Sequence, residues 1–218
     1  MNSSKPMNSH IQTQDKTANQ KHKGVLYVVA KVIRVMTIPP MMVGGLLLLL
    51  TYFRPDVITN DVESFMSLLF LAIIPILAYP VSAMVPSIKA KSRGGQRNLA
   101  FVFSVIGYLG GVIYGALAGV SESLMVIFGT YFLSVIVLTI LNKVIKVKAS
   151  GHACSIAGPI GLVCYFLPTI FIPISLLAYA AIFWASVHMG RHTVREFIYG
   201  SISSPASLLV VALLSVIF

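Results

Sequence analysis

The chain has 218 residues, 57% of them hydrophobic and only 10% charged, with a formal net charge of +10 and a mean hydropathy of +0.89. A chain this apolar cannot clothe a soluble globule, so a soluble enzyme and a nucleic-acid-binding module are excluded, and the basic excess becomes a clue to membrane orientation. The two cysteines, Cys154 and Cys164, are separated by about 15 Å along a helix and cannot pair with each other.

Residues 1–24 are rich in Asn, Gln, Ser, Lys and His with almost nothing to bury, and read as a disordered hydrophilic tail. They lack the apolar core and small-residue cleavage site of a signal peptide. Residues 25–218 read as one integral-membrane domain, an all-α polytopic helical bundle of six to seven transmembrane segments. Its first piece, Val25–Met36, carries Lys31 and Arg34 among apolar residues and soon meets Pro39-Pro40. That pattern predicts an interfacial amphipathic lead-in. Seven apolar runs follow: Thr37–Phe53, Phe65–Val85, Leu99–Val120, Leu124–Leu141, Ala153–Phe166, Thr169–Val187 and Phe197–Phe218. The fifth is short for a crossing, which leaves six spans with one re-entrant segment as the alternative. In the third run Gly107, Gly111, Gly115 and Gly119 strip one helix face to backbone. Such a face favours close packing inside the bundle, ahead of a homodimer interface.

Counting loops alternately across seven spans puts fifteen of the sixteen basic residues on one side, with Arg54 alone on the other beside Asp56, Asp61, Glu63 and Glu122. The positive-inside rule assigns the basic side to the cytoplasm.

Two polar clusters lie on that side. In the first, Asn142, Lys143, Lys146 and Lys148 lead into Ala149-Ser150-Gly151-His152 at the start of the fifth run. Lysines before small residues at a helix start describe an anion site, with the amides of Ser150, Gly151 and His152 and the positive end of the helix dipole aimed at the anion. In the second, Trp184 to Glu196 holds His188 and His192, Arg191 and Arg195, and Glu196 at four-residue steps that stack each pair on one helix face. Polar groups so costly near hydrocarbon mark a functional site. His188, His192 and Glu196 also have spacing open to a zinc ion, a reading ranked lower because no further ligand cluster supports it.

Taken together, Ser150-Gly151-His152 followed about forty residues later by Gly190-Arg191-His192 with Glu196 four residues on resembles the type 2 phosphatidic acid phosphatase superfamily, in a divergent prokaryotic-type branch. The resemblance covers roughly Lys143 to Gly200 and extends loosely to the basic loop Lys89–Arg97. It implies a helical core like that of those phosphatases and a reaction without metal or cofactor. His192 would be the nucleophile that becomes phosphohistidine, Glu196 would stand where the family has Asp and orient it, and His152 would protonate the leaving alkoxide. Lys143, Lys146, Lys148, Ser150, Gly151 and Arg191 would bind the substrate phosphate. Lys143 or Lys146 would represent the first basic motif, with Arg97 as a distant substitute. The sequence departs from the pattern at Ser186, where the third motif begins with Arg, and at Ala149, where Pro precedes the Ser.

The function implied is hydrolysis of a phosphomonoester or pyrophosphate on a membrane lipid, of phosphatidic acid or isoprenyl diphosphate type. The rival readings are a lipid-binding or transport protein of the same fold that has lost catalysis, and a lipid phosphotransferase. The bilayer and the lipid phosphate are the partners expected. Seven spans with the tail inside put residue 218 outside, so a reporter fused there should be active only on the outer face; cytoplasmic activity would contradict the odd count.

Overall fold

The structure, a computed structural model, describes residues 24–84 and 92–217, apart from the side chains of residues 92–94 and 97. The tail expected over residues 1–24, beyond Gly24 itself, lies outside the described residues. So do Lys89 and Lys91 and the side chains of Arg93 and Arg97. Every regular element described is a helix. These are α1 (Val25–Met36), α2 (Pro39–Phe53), α3 (Asp61–Met84), α4 (Ser92–Ala118), α5 (Glu122–Val144), α6 (Gly151–Phe166), α7 (Phe171–His188) and α8 (Val194–Ile217).

Among the described residues five helices are long and apolar enough to cross a membrane, namely α3, the Asn98–Ala118 part of α4, α5, α7 and α8. The count reaches six only if α1 and α2, bent by 61° at their junction, are taken as one broken span. That is the lower edge of the six to seven expected. The shortfall lies in the first and fifth runs. Pro39 at the start of α2 separates it from α1, leaving 15 residues, and α6 has 16. Each is therefore about 22–24 Å long, against a hydrocarbon core of about 30 Å.

The short helix α6 is central. It packs against α2, α5, α7 and α8, with its largest contact on α8, and Ile156 and Leu162 are wholly buried. Small residues bring these two axes together. Ser204 on α8 donates to the Cys154 carbonyl at 2.9 Å, and a Cβ added to Gly158 would meet Ser204 Oγ at 3.4 Å. At the N-terminal end Gly200 of α8 faces the Ser150 backbone, where an added Cβ would overlap the Ser150 carbonyl oxygen and lie 2.9 Å from its nitrogen. Close approach of this kind needs a residue without a side chain.

Glycines on α4 also turn inward. Gly107 faces the Phe70 carbonyl in α3, while Gly111 and Gly115 face Phe128 and Met125 in α5. The Phe70 carbonyl lies in a π-helical turn, Leu69–Ile73, just before Pro75, which has no N–H to continue the ladder. Gly119, at φ +65° with open space around it, ends α4 instead of packing.

The two ends of the bundle differ in charge. At one end Arg54 grips Asp56 through two hydrogen bonds and donates to the Phe166 carbonyl at 2.7 Å, so the acidic loop closes the C-terminus of α6. Glu63 accepts from the Thr59 amide and hydroxyl, and Ser121 donates to the Val57 carbonyl while accepting from the Leu124 amide at the start of α5. At the other end a cavity is lined by Arg34, Lys143, Lys148, His152 and His192. Among the described residues, Arg54, Asp56 and Glu63 thus belong to one end and the basic residues of the cavity to the other.

Gly200→Ala should lower stability by roughly 1–3 kcal/mol through overpacking against α6, read as a reduced melting temperature in detergent. An unchanged melting temperature would show that α6 and α8 can separate without cost.

Candidate active site

The N-terminus of α6 and the start of α8 come together where Gly200 lies against the Ser150 backbone, and both helices begin with side-chain caps. Ser150 is the N-cap of α6, its Oγ accepting from the Ala153 amide at 3.2 Å. Thr193 and Glu196 form a reciprocal capping pair at the start of α8: the Glu196 amide donates to Thr193 Oγ1 at 3.2 Å, and the Thr193 amide points to Glu196 Oε2 at 3.4 Å. One backbone hydrogen bond joins the two starts, from the Ser150 amide to the Glu196 carbonyl at 2.9 Å. This corrects one expectation. The Ser150 amide is spent on α8 and is not free for an anion, which leaves the amides of Gly151 and His152 in the first turn of α6.

His192 is the hub. Its Nε2 lies 3.3 Å from Ser150 Oγ and its Nδ1 lies 3.5 Å from Glu196 Oε2. Because Ser150 Oγ already accepts from an amide, its hydrogen is available to His192 Nε2. The tautomer that satisfies both contacts then carries its proton on Nδ1, facing the carboxylate. The ring of His152 lies nearly parallel to that of His192, 19° apart with centroids separated by 6.4 Å. That separation is too wide for close ring contact. His152 Nε2 is buried with no hydrogen-bond partner among the described residues, a costly state in the absence of a ligand.

Both rings open on one cavity of about 1080 Å³. Its polar end carries Lys143, Lys148, Ser150 and Gly151, and its walls continue through Pro39, Ile76, Phe101, Val102 and Val135. Gly151 has room for a Cβ, the nearest atom being Leu138 Cδ2 at 3.7 Å, so packing alone does not require glycine there. Asn142 shapes the connecting loop, its side chain bonding the Leu138 and Ala149 carbonyls and accepting from the Ala149 amide.

The expected phosphate ligands divide. Lys143 lines the cavity. Lys148 lines it too, but its ammonium is paired with Glu196 Oε1 at 2.6 Å. Lys146 is exposed, does not line the cavity and holds the left-handed turn of the loop at φ 60°. Arg191 and Arg195 are exposed and do not line it either, and the side chain of Arg97 lies outside the described residues. His188 stacks on Trp184 with centroids 5.1 Å apart, and no group of three or more metal-ligating side chains occurs among the described residues. Sequence reasoning missed Arg34. It treated this residue as a topology marker in α1, yet it lines the cavity, and its charge acts on both His152 and His192. Nothing in its local sequence separates it from Lys31, which is exposed.

Burial pushes the His192 imidazole below its ordinary value, against the opposing hydrogen bond that its Nδ1 donates to Glu196, and the Arg34 charge adds to the lowering. The ring is therefore neutral at pH 7, with a lone pair on Nε2. Modification of His192 by diethylpyrocarbonate, compared with His192→Ala, should titrate with a midpoint below about 6.5. A midpoint above that would mean the carboxylate outweighs burial.

No family model, no curated protein and no solved structure matches this chain.

Proposed function

We propose that this membrane protein is a metal-independent lipid phosphate phosphatase, resembling the type 2 phosphatidic acid phosphatases, that cleaves a phosphomonoester or pyrophosphate on a lipid through a phosphohistidine intermediate. The observation that carries the reading is the chain Ser150, His192, Glu196 on the cavity that His152 also lines, with the His152 Nε2 buried and unpartnered among the described residues. A nucleophile, its orienting carboxylate and a separate proton donor are the groups phosphoryl transfer to histidine requires.

The chemistry balances with these residues alone. His192 Nε2 attacks phosphorus as the ester P–O bond breaks, and His152, which burial and the Arg34 charge keep neutral in the free protein, takes up the proton carried by the phosphate monoanion and passes it to the departing oxygen. Glu196 stabilises the cationic ring as the N–P bond forms. Water, activated by the now neutral His152, then attacks phosphorus, breaks the N–P bond and returns the imidazole with inorganic phosphate. Lys143 and the Gly151 and His152 amides face the charge on the phosphoryl oxygens, where it concentrates during transfer. The apolar walls suit the hydrocarbon tail of a lipid substrate, isoprenyl or diacyl, with the headgroup at the basic end. The positive-inside rule favours the cytoplasmic face for that end.

A second reading draws on the same geometry. Ser150 Oγ beside His192 Nε2, with Glu196 behind, has the order of a serine nucleophile, its base and the base's orienter. The cationic rim favours phosphate over a neutral ester. The Oγ is also held as a helix cap, so the histidine reading is preferred.

The purified protein in detergent and EDTA should release phosphate from phosphatidic acid or from farnesyl or geranylgeranyl (di)phosphates, and His192→Ala should reduce release to background. His152→Ala should cost roughly 10²–10⁴-fold for an alkoxide leaving group. Labelled phosphate should be trapped on the protein in an acid-labile form. An acid-stable label lost in Ser150→Ala would transfer the nucleophile's role to the serine, and no release from any substrate would favour lipid binding or transport.

A further inference from the structure

The third motif of the resembling family begins with an arginine, and this chain has Ser186 there, wholly buried in α7 with its Oγ unpartnered. The cavity nonetheless contains an arginine. Arg34 reaches it from α1, the helix that the sequence marks as a lead-in lying on the membrane surface, and α1 packs against α7, the helix that carries Ser186. We propose that α1 is part of the active site and that Arg34 is the guanidinium that binds the substrate's phosphoryl oxygens, supplied from outside the motif. The proposal rests on the reading of the site as a phosphate site.

Three observations separate Arg34 from an ordinary interfacial arginine. First, it is half-buried, whereas Lys31, one turn earlier on α1, is exposed. Second, no carboxylate or carbonyl accepts from its guanidinium among the described residues. An arginine half withdrawn from water without a protein partner leaves part of its five N–H donors and its charge unmatched, and an anion in the cavity would match both. Third, the alternatives are engaged or do not line the cavity: Lys148 is held by Glu196, Arg195 is not among the lining residues, and Arg191, whose charge is near enough to act on Arg34, is not among them either. Lys143 can add a point charge, but a phosphate group presents paired oxygens that only the guanidinium fork matches in two parallel hydrogen bonds.

Position matters as well as charge. Arg34 lies in the last turn of α1, three residues before the 61° bend into α2, and Pro39 and Pro40 at the start of α2 line the same cavity. The bend carries the chain past the mouth of the cavity. Docking of α1 on α7 therefore completes the anion site, and a chain with α1 displaced would keep both histidines yet bind phosphate weakly.

Orthovanadate binding to the full chain in detergent, followed alongside turnover of a lipid phosphate, tests this. Arg34→Ala should weaken vanadate binding roughly 10- to 100-fold, the loss typical of charge-assisted hydrogen bonds. It should raise KM more than it lowers kcat. Arg34→Lys should recover only part of the affinity, and millimolar guanidinium should rescue Arg34→Ala but not His192→Ala. Lys31→Ala should leave both quantities unchanged. Wild-type vanadate affinity in Arg34→Ala, or an equal loss in Lys31→Ala, would overturn the assignment and leave Arg34 as a surface anchor. If the wild-type chain binds vanadate through Arg34 but hydrolyses no lipid phosphate, the anion site stands and the catalytic reading falls. Turnover that survives Arg34→Ala unchanged gives the opposite result.

Discussion

The close contact between the starts of α6 and α8 is the constraint on which the site depends. Ser150 and His152 belong to one helix and His192 and Glu196 to the approach of the other, so every distance between them is set by how nearly these axes meet. Gly200 permits the approach by having no Cβ against the Ser150 backbone. The bond from the Ser150 amide to the Glu196 carbonyl fixes the register, and the two N-caps fix the direction in which each helix leaves the contact. Further along, Ser204 and Gly158 maintain the approach. In a lipid environment, where burying apolar surface gives no drive for association, such small-residue packing and interhelical hydrogen bonding are what hold helices together.

The same contact shows why polar groups persist deep in a greasy chain. Each is assigned to a task by its neighbours. Ser150 Oγ serves both a helix amide and His192, and Glu196 serves Thr193, Lys148 and His192 at once. Groups that serve several partners are hard to replace singly, since removing one leaves others buried and unsatisfied. Lys148 is an instructive case, because a lysine in a basic loop invites a phosphate role, yet its ammonium neutralises Glu196. The carboxylate that orients His192 is thereby itself held by a cation.

At the opposite end the chain follows a different rule. Arg54, the one basic residue outside the main group, is satisfied by Asp56 and by the Phe166 carbonyl. At that end Arg54 and Glu63 are held by their neighbours, while among the described residues the basic end has Arg34 without a partner and His152 with an unpaired ring nitrogen. Uncompensated charges and polar atoms around a cavity are features that a ligand would satisfy.

Composition and hydropathy by themselves determined the class of the protein, its helical architecture and the separation of its charges, because hydrophobic runs and loop charges are local properties that no packing arrangement reverses. The clusters around Ser150 and His192 were legible for a similar reason: capping residues and four-residue spacing act within a turn or two of helix. Tertiary structure decided what depends on distant segments meeting. It made α6 a short central helix, occupied the Ser150 amide with the Glu196 carbonyl, turned Lys146 away while pairing Lys148 with Glu196, and brought Arg34 from more than a hundred residues upstream to the cavity of His152 and His192. Sequence spacing carries no information about such meetings, since an arginine at the membrane surface and one aimed into a site have the same local neighbours until the helices pack.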